Sequence, residues 1–325
     1  MKYLFLLCSV FLLVLFGNDY YGTIEIGGKG VKAYVIEHDS AQTRIVARNS
    51  INTAPQSGMN ADKILSETMI AAIIRDIQTL RQKTFQSYGT LASNHEFIVA
   101  SSAINKIANK ERLSQRIFQT TALPLYFIDE KEESLFGFYG AVPKDEWNTA
   151  AMIDIGGGNT KIAWLDEEKR FRFQEIPLGT VSLTKRANAD QSAAAFRQKA
   201  FNAVQAYAHT IDALPIKPSV YLVGGIFWAT AYYQHDGQLK TFTPLNGDDF
   251  DILASTFSAS AIGQNCTPDT VEKTCFLLRY YGAKNLVAGA VLAQTLLEHY
   301  RNSQKIVFAK EGAWMIGWLL QNLQP

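Results

Sequence analysis

The chain has 325 residues, 47% of them hydrophobic and 19% charged, with 31 Lys and Arg against 30 Asp and Glu. This is enough chain for two globular domains and too apolar a composition for a disordered one. A formal net charge of +1 excludes a general binder of nucleic-acid duplex, which carries a strongly basic face, so any anion site must be local.

The N-terminus reads as a targeting signal. Lys2 precedes an apolar run from Leu4 to Phe16 that is interrupted only by Ser9. The run is shorter than the ~20 residues that span a bilayer and has the form of a signal-peptide core. Val14-Leu15-Phe16-Gly17 offers no pair of small residues for cleavage. A cleaved signal and an uncleaved anchor attached through residues 3–17 both fit. Residues 1–18 are assigned to this segment, and the chain is expected to be exported, periplasmic or membrane-anchored facing the periplasm. Cys8 lies inside the run. Cys266 and Cys275 are an even pair outside it, which fits either a disulfide or two separate thiols.

Strands are expected at Tyr21–Ile26, Val31–Glu37 and Arg44–Arg48, then a helix from Ala61 to Leu80 with Ile64, Leu65, Ile73, Ile77 and Leu80 at helical spacing. A buried strand, Phe97–Ala100, runs into Ser101-Ser102, followed by a basic helical stretch from Asn105 to Ile117. After a strand at Leu125–Ile128, Asp129 stands as N-cap with Glu132 at the capping-box position. Val142–Glu146 reads as a surface connection, dividing a first domain, 19–143, from a second, 144–325.

The second half opens with a strand ending at Asp154, a glycine turn, the alternating run Ile162–Leu165 and a third strand, Phe171–Ile176. Pro177–Thr180 is a turn and Ser192–Ile211 a helix. Val220–Val223 is a strand ending in Gly224-Gly225, where a strand-to-helix turn can approach a ligand closely. Asn246–Thr274 is polar and carries no assigned element. Asn285–Leu297 is a helix, Lys305–Ala309 a strand and Glu311–Leu323 the last helix, which either stays in its own domain or packs back on the first. Alternation of strands and helices in each half makes the class α/β.

One stretch organises the site reading. Met152-Ile153-Asp154-Ile155-Gly156-Gly157-Gly158-Asn159-Thr160-Lys161 reads as strand, glycine turn and strand. Glycines let backbone N–H groups converge with no Cβ in the way, and converging N–H groups hold anions such as phosphate. Asp154, at the strand end, is placed to hold a hydrated metal ion or orient a water. A ligand-free acid-glycine hairpin is also common, but this one is repeated. Ile24-Glu25-Ile26-Gly27-Gly28-Lys29-Gly30-Val31-Lys32 has the same order of residue types, about one domain length earlier. Duplicated hairpins suggest two similar halves whose turns face each other and clamp a chain of phosphates.

These motifs, in this order, resemble the exopolyphosphatase/guanosine pentaphosphate phosphohydrolase (Ppx/GppA) family of the actin-like ATPase superfamily. Asp154-Ile155-Gly156-Gly157-Gly158-Asn159-Thr160 is similar to the family's Asp-x-Gly-Gly-Gly-Ser-Thr. Glu132-Glu133-Ser134, Pro177-Leu178-Gly179, Gly224-Gly225 and Ala288-Gly289-Ala290 fall where the family has corresponding segments. The resemblance implies two ribonuclease-H-like domains with a cleft between them. It implies Mg²⁺-assisted hydrolysis of a terminal phosphoanhydride in polyphosphate or a nucleotide polyphosphate, and a homodimer. Glu133 matches the general base, and Asp154 with Glu25 would hold metal or water. Gly27, Gly28, Lys29, Gly30, Lys32, Ser102, Asn105, Gly156, Gly157, Gly158, Asn159, Thr160, Lys161, Gly224 and Gly225 would line the phosphates.

Four departures from the family pattern bear on chemistry. Glu25 replaces an Asp, Lys29-Gly30 replaces Asn-Ser, Asn105 replaces a phosphate-binding Arg, and Lys161 replaces a Glu implicated in metal binding. A lysine beside the turn repels Mg²⁺ and can itself bind phosphate as a point charge. Lys29, Lys32, Lys106 and Lys161 therefore read either as a metal-poor anion site or as ordinary surface charges. Two functions follow: an exported phosphoanhydride hydrolase, or a degenerate polyphosphate or nucleotide binder that has lost turnover. A kinase on the same fold fits export poorly. The five histidines show no metal-ligand spacing, and there is no Gly-x-Ser-x-Gly elbow, Walker loop, dinucleotide fingerprint or Cys-x-x-Cys.

Overall fold

The computed structural model describes residues 19–39, 42–88, 95–187, 192–258, 266 and 272–323. The signal or anchor segment, with its membrane attachment, lies outside the described residues. Among the described residues no helix is long and apolar enough to cross a membrane. The chain divides into two compact units, residues 1–133 and 134–325.

The first unit is built on a five-stranded sheet in the order β3-β2-β1-β4-β5. Its strands are β1 (Asp19–Ile26), β2 (Val31–His38), β3 (Thr43–Ile51), β4 (Glu96–Ala100) and β5 (Leu125–Phe127). The first three form an antiparallel meander, and β4 and β5 run parallel to β1. Ile24, Ile26, Ala33 and Val35 pack on Ile70, Ile73, Ile77 and Leu80 of helix α1 (Glu67–Phe85). Because side chains alternate along a strand, Glu25 and Lys32 lie on the opposite face of the sheet.

Two helices in this unit differ from expectation. Helix α1 begins at Glu67, not Ala61, because the Ser66 hydroxyl accepts from the Met69 N–H at 3.2 Å and caps the helix there. The expected helix from Asn105 to Ile117 is broken into α2 (Ser102–Asn105) and α3 (Lys110–Thr121). At the break, the Asn109 side chain accepts from the Leu65 N–H and donates to the Leu65 carbonyl, both at 3.0 Å.

Helix α4 (Glu130–Ala141) carries the expected capping box. The Glu132 N–H donates to the Asp129 carboxylate and the Asp129 N–H to the Glu132 carboxylate, each at 2.8 Å. The division between units falls within this helix rather than after residue 143. Phe138, Ala141 and Val142 are buried with Ala150, Met152, Ala163, Tyr221 and Val307 of the second unit.

The second unit repeats the topology of the first. Its sheet has the order β10-β11-β9-β6-β7-β8, with β6 (Ala150–Ile155), β7 (Thr160–Leu165), β8 (Phe171–Ile176), β9 (Ser219–Val223), β10 (Phe242–Pro244) and β11 (Lys305–Ala309). Strands β6, β7 and β8 form the meander, and β9 and β11 are parallel to β6. The helices are α5 (Thr180–Arg186), α6 (Ala193–Gln205), α7 (Ala208–Asp212), α8 (Gly225–Gln234), α9 (Gly247–Ser258), α10 (Lys273–Tyr281), α11 (Ala283–His299) and α12 (Trp314–Asn322). Leu286, Ala290 and Ala293 of α11 are buried with Ile153, Ile155 and Leu222.

Helix α9 occupies the stretch left without an element. Its start is a reciprocal cap between Asn246 and Asp249, and Phe250, Leu253, Ala254 and Phe257 are buried beneath its polar face. The expected Ser192–Ile211 helix is α6 and α7, and α5 follows directly on the Pro177–Gly179 turn. Helix α12 packs on α4 at backbone distance: a Cβ on Gly317 would lie 2.0 Å from the Phe136 carbonyl oxygen. Cys266 and Cys275 form a disulfide.

Candidate functional site

In the second unit, the turn between β6 and β7 is closed by the Gly156 N–H donating to the Asn159 carbonyl at 3.0 Å. Its carbonyl groups are taken by the first turn of α5. The Thr180 N–H donates to Gly156, the Val181 and Ser182 N–H groups to Gly157, and the Ser182 hydroxyl to Gly158. With the carbonyls held on that side, the N–H groups of Gly157 and Gly158 have no protein acceptor among the described residues. Gly179 allows this approach, since a Cβ there would lie 2.5 Å from the Gly156 oxygen. Gly158 is exposed, with nothing within 4 Å of an added Cβ. The Thr160 hydroxyl is buried and donates to the Leu178 carbonyl at 2.7 Å, which gives it a structural task.

Four residues stand in one cross-strand row beneath this turn: Val223, Asp154, Lys161 and Glu175. Residues directly opposite in antiparallel strands share a face. Lys161 is 4% exposed, flanked in register by the carboxylates of Asp154 and Glu175. A buried ammonium is tolerated only with counter-charge beside it. The Asn159 amide donates to Glu175 at 2.5 Å. Gly224 has φ +111°, and a Cβ there would lie 2.9 Å from Asp154 Oδ1, so the start of α8 abuts the acid.

The first unit repeats the arrangement. Gly27 and Gly30 exchange backbone hydrogen bonds around Gly28-Lys29. The Gln56 N–H donates to the Gly28 carbonyl and the Ala54 N–H to the Lys29 carbonyl. Gly30 needs to be glycine because a Cβ would lie 2.2 Å from the Ile51 oxygen. Lys29 is exposed. Lys32 donates to Glu25 Oε1 at 2.7 Å and the Tyr34 hydroxyl to Glu25 Oε2 at 2.9 Å. Burial opposes the charge on Lys32, yet the Glu25 carboxylate outweighs it and holds the lysine above its ordinary value. Burial, with Glu25 next, pushes the Tyr34 phenol up to about 12.

Glu133 is half-buried and accepts a 3.0 Å hydrogen bond from the Ser102 N–H at the start of α2. The oxygen of Asn105 accepts from Lys110 at 2.6 Å. Lys106 forms an ion pair with Glu130. Lys32 and Lys106 are thus each paired with a carboxylate, and the expected group of four lysines is not a uniform set of surface charges. Tyr34, Glu175 and Ser182 were not singled out from sequence. The register of a two-residue turn, which sets Lys32 opposite Glu25 and Lys161 opposite Asp154, was the available signal. A cavity of about 940 Å³ lies elsewhere in the second unit, lined in part by Arg197, Phe201, Val291 and His299, and contains none of these residues.

The Mg²⁺ expectation can be weighed against these donors. Mg²⁺ held by protein needs one or two carboxylates free to face it, together with substrate oxygens. Both oxygens of Glu25 already accept hydrogen bonds, one from an ammonium. Asp154 stands opposite a buried lysine. Among the described residues no three His, Cys, Asp or Glu side chains gather as metal ligands. The donor set does not fit a divalent cation.

Two sheets of matching topology, each with a glycine turn beside an acid, define a two-domain protein of actin-like ATPase fold. A family model, the Ppx/GppA phosphatase family, matches residues 34–310. The chain belongs to that family. Its structure is similar to that of the Aquifex aeolicus Ppx/GppA family member, with a TM-score of 0.73 at 15% identity over 95% of this chain and 100% of that one. It is also similar to an exopolyphosphatase from Cytophaga hutchinsonii, with a TM-score of 0.71 at 17% identity over 94% and 99% of the two chains. Retrograde regulation protein 2 of Saccharomyces cerevisiae is 20% identical over 124 residues, 37% of this chain and 20% of the yeast protein.

Proposed function

We propose that this chain is an exported phosphoanhydride hydrolase releasing the terminal phosphate of polyphosphate or a guanosine polyphosphate. The observation that carries the reading is the backbone polarity of the two turns. In each, the carbonyls are occupied by a neighbouring segment, and in the second the N–H groups of Gly157 and Gly158 are left for an anion. Membership of the Ppx/GppA phosphatase family supports it, as does the name of the Cytophaga relative.

Phosphoryl transfer needs an aligned water and charge stabilisation more than covalent chemistry. In this proposal Glu133 takes a proton from water as the water oxygen bonds to the terminal phosphorus and the bridging P–O bond breaks. The Ser102 N–H donates to one Glu133 oxygen and so orients the carboxylate that takes the proton. The Cys266–Cys275 disulfide suits an oxidising compartment and so supports export by residues 1–18.

A second reading is a binder without turnover. It is favoured by Asn105, which stands where the family has a phosphate-binding Arg and whose oxygen is engaged by Lys110. Phosphate release from polyphosphate, guanosine pentaphosphate and nucleoside triphosphates tests both. Release by the native chain supports hydrolysis, polyphosphate binding with no release supports the binder, and inert protein with no polyanion affinity removes both.

A further inference from the structure

We propose that Lys161, and Lys32 in the corresponding place of the first unit, stand in for a divalent cation, so that this chain binds polyphosphate without metal. The inference rests on the reading of the glycine turns as phosphate sites and deepens it. The same juxtaposition occurs twice. A carboxylate near the end of the first hairpin strand faces a lysine near the start of the second, Glu25 against Lys32 and Asp154 against Lys161, in matching register about a two-residue turn. Each pair lies beside its glycine turn, and the second lies below the one whose Gly157 and Gly158 N–H groups have no protein acceptor among the described residues.

Charge decides the consequence. An acid at the strand end is useful to a metal only while its negative charge is available. Here each acid has a lysine as its cross-strand neighbour, and a second cation would have to approach that positive charge. The first pair is closed on both carboxylate oxygens by Lys32 and Tyr34. In the second, the lysine is 4% exposed and stands in register between Asp154 and Glu175. A covalently attached positive charge beneath the turn then does part of what a bound ion does: it offsets the acid that would repel phosphate. Unlike an ion, it cannot be removed by a chelator.

The test is equilibrium binding of a fluorescently labelled inorganic polyphosphate to the full chain, in EDTA and in Mg²⁺. Affinities that agree within about twofold, a small difference on a scale where one factor of ten is ~1.4 kcal/mol, support the inference. Binding that appears only with Mg²⁺ overturns it while leaving the functional reading intact. No binding in either condition removes the functional reading and this inference with it. Lys161→Glu adds a variant arm. It should weaken binding in EDTA by about tenfold or more and make binding respond to Mg²⁺. An unchanged, metal-indifferent affinity in a folded Lys161→Glu protein would count against the role of this lysine. If that variant does not fold, the comparison of EDTA with Mg²⁺ on the native chain still decides.

Discussion

Glu25 accepts a 2.7 Å hydrogen bond from Lys32, its cross-strand partner, on the face of the first sheet that the apolar core does not use. Its second oxygen holds the buried Tyr34 hydroxyl. Removing the carboxylate leaves a cation and a phenol with no acceptor. Glu25→Ala is therefore expected to destabilise the first unit by roughly 2–3 kcal/mol, at the low end for a broken ion pair because Lys32 is partly exposed. Glu25→Gln, which keeps an acceptor, should cost less. Denaturant unfolding of both variants checks the order.

Alkaline pH should act through buried phenols. Tyr34 is raised to about 12 by burial and Glu25. Tyr221 is raised to about 12 by burial and Glu146, against the lowering effect of Lys305. Each folded value lies above the ordinary value of 10, so the neutral phenol is favoured in the folded state. The associated stability is whole below pH 10 and lost as the pH rises from 10 through about 12. Phenolate absorbance in native and urea-unfolded protein should show a late-titrating fraction only in the native form, and the urea midpoint should fall over the same interval.

Gly224 combines a left-handed backbone with a close approach to a neighbouring strand. Its φ of +111° is strained for any L side chain, and a Cβ would lie 2.5 Å from the Ile155 carbonyl oxygen. Gly224→Ala should cost about 2–4 kcal/mol and displace Asp154 from the end of β6. A thermal melt combined with polyphosphate binding measures both effects. A variant as stable as the native chain would contradict this packing.

Glu133→Gln separates base from scaffold. The amide oxygen can still accept from the Ser102 N–H, so the fold and polyphosphate affinity should persist. Phosphate release should drop about 10²–10⁴-fold if Glu133 takes the proton. Comparable turnover in the variant would assign the base elsewhere.

Reduction of the Cys266–Cys275 bridge, which closes a sequence separation of 9, should lower stability by about 2–3 kcal/mol through the freedom regained by the unfolded chain. Alkylation and mass measurement with and without reductant identify the thiols. A melting temperature indifferent to reductant would show that the bridge does not constrain unfolding.

Much of this was legible in the residues. The duplicated Ile-acid-Ile-Gly-Gly pattern marks two hairpins, and both fold as such because alternation and a short turn are local properties. The Asp129–Glu132 cap is local in the same way. What the sequence could not decide is who takes each polar group. The break between α2 and α3 depends on Asn109 reaching Leu65, far away in the chain. The outward polarity of the Gly156–Gly158 turn depends on α5 arriving to hold its carbonyls, and the confinement of Lys161 depends on β8 bringing Glu175 beside it. Local order sets where strands and turns form; the charge balance and free hydrogen-bond valence of the site are set by segments that meet only when the sheet closes, because burial forces every ion and backbone group there to find a partner.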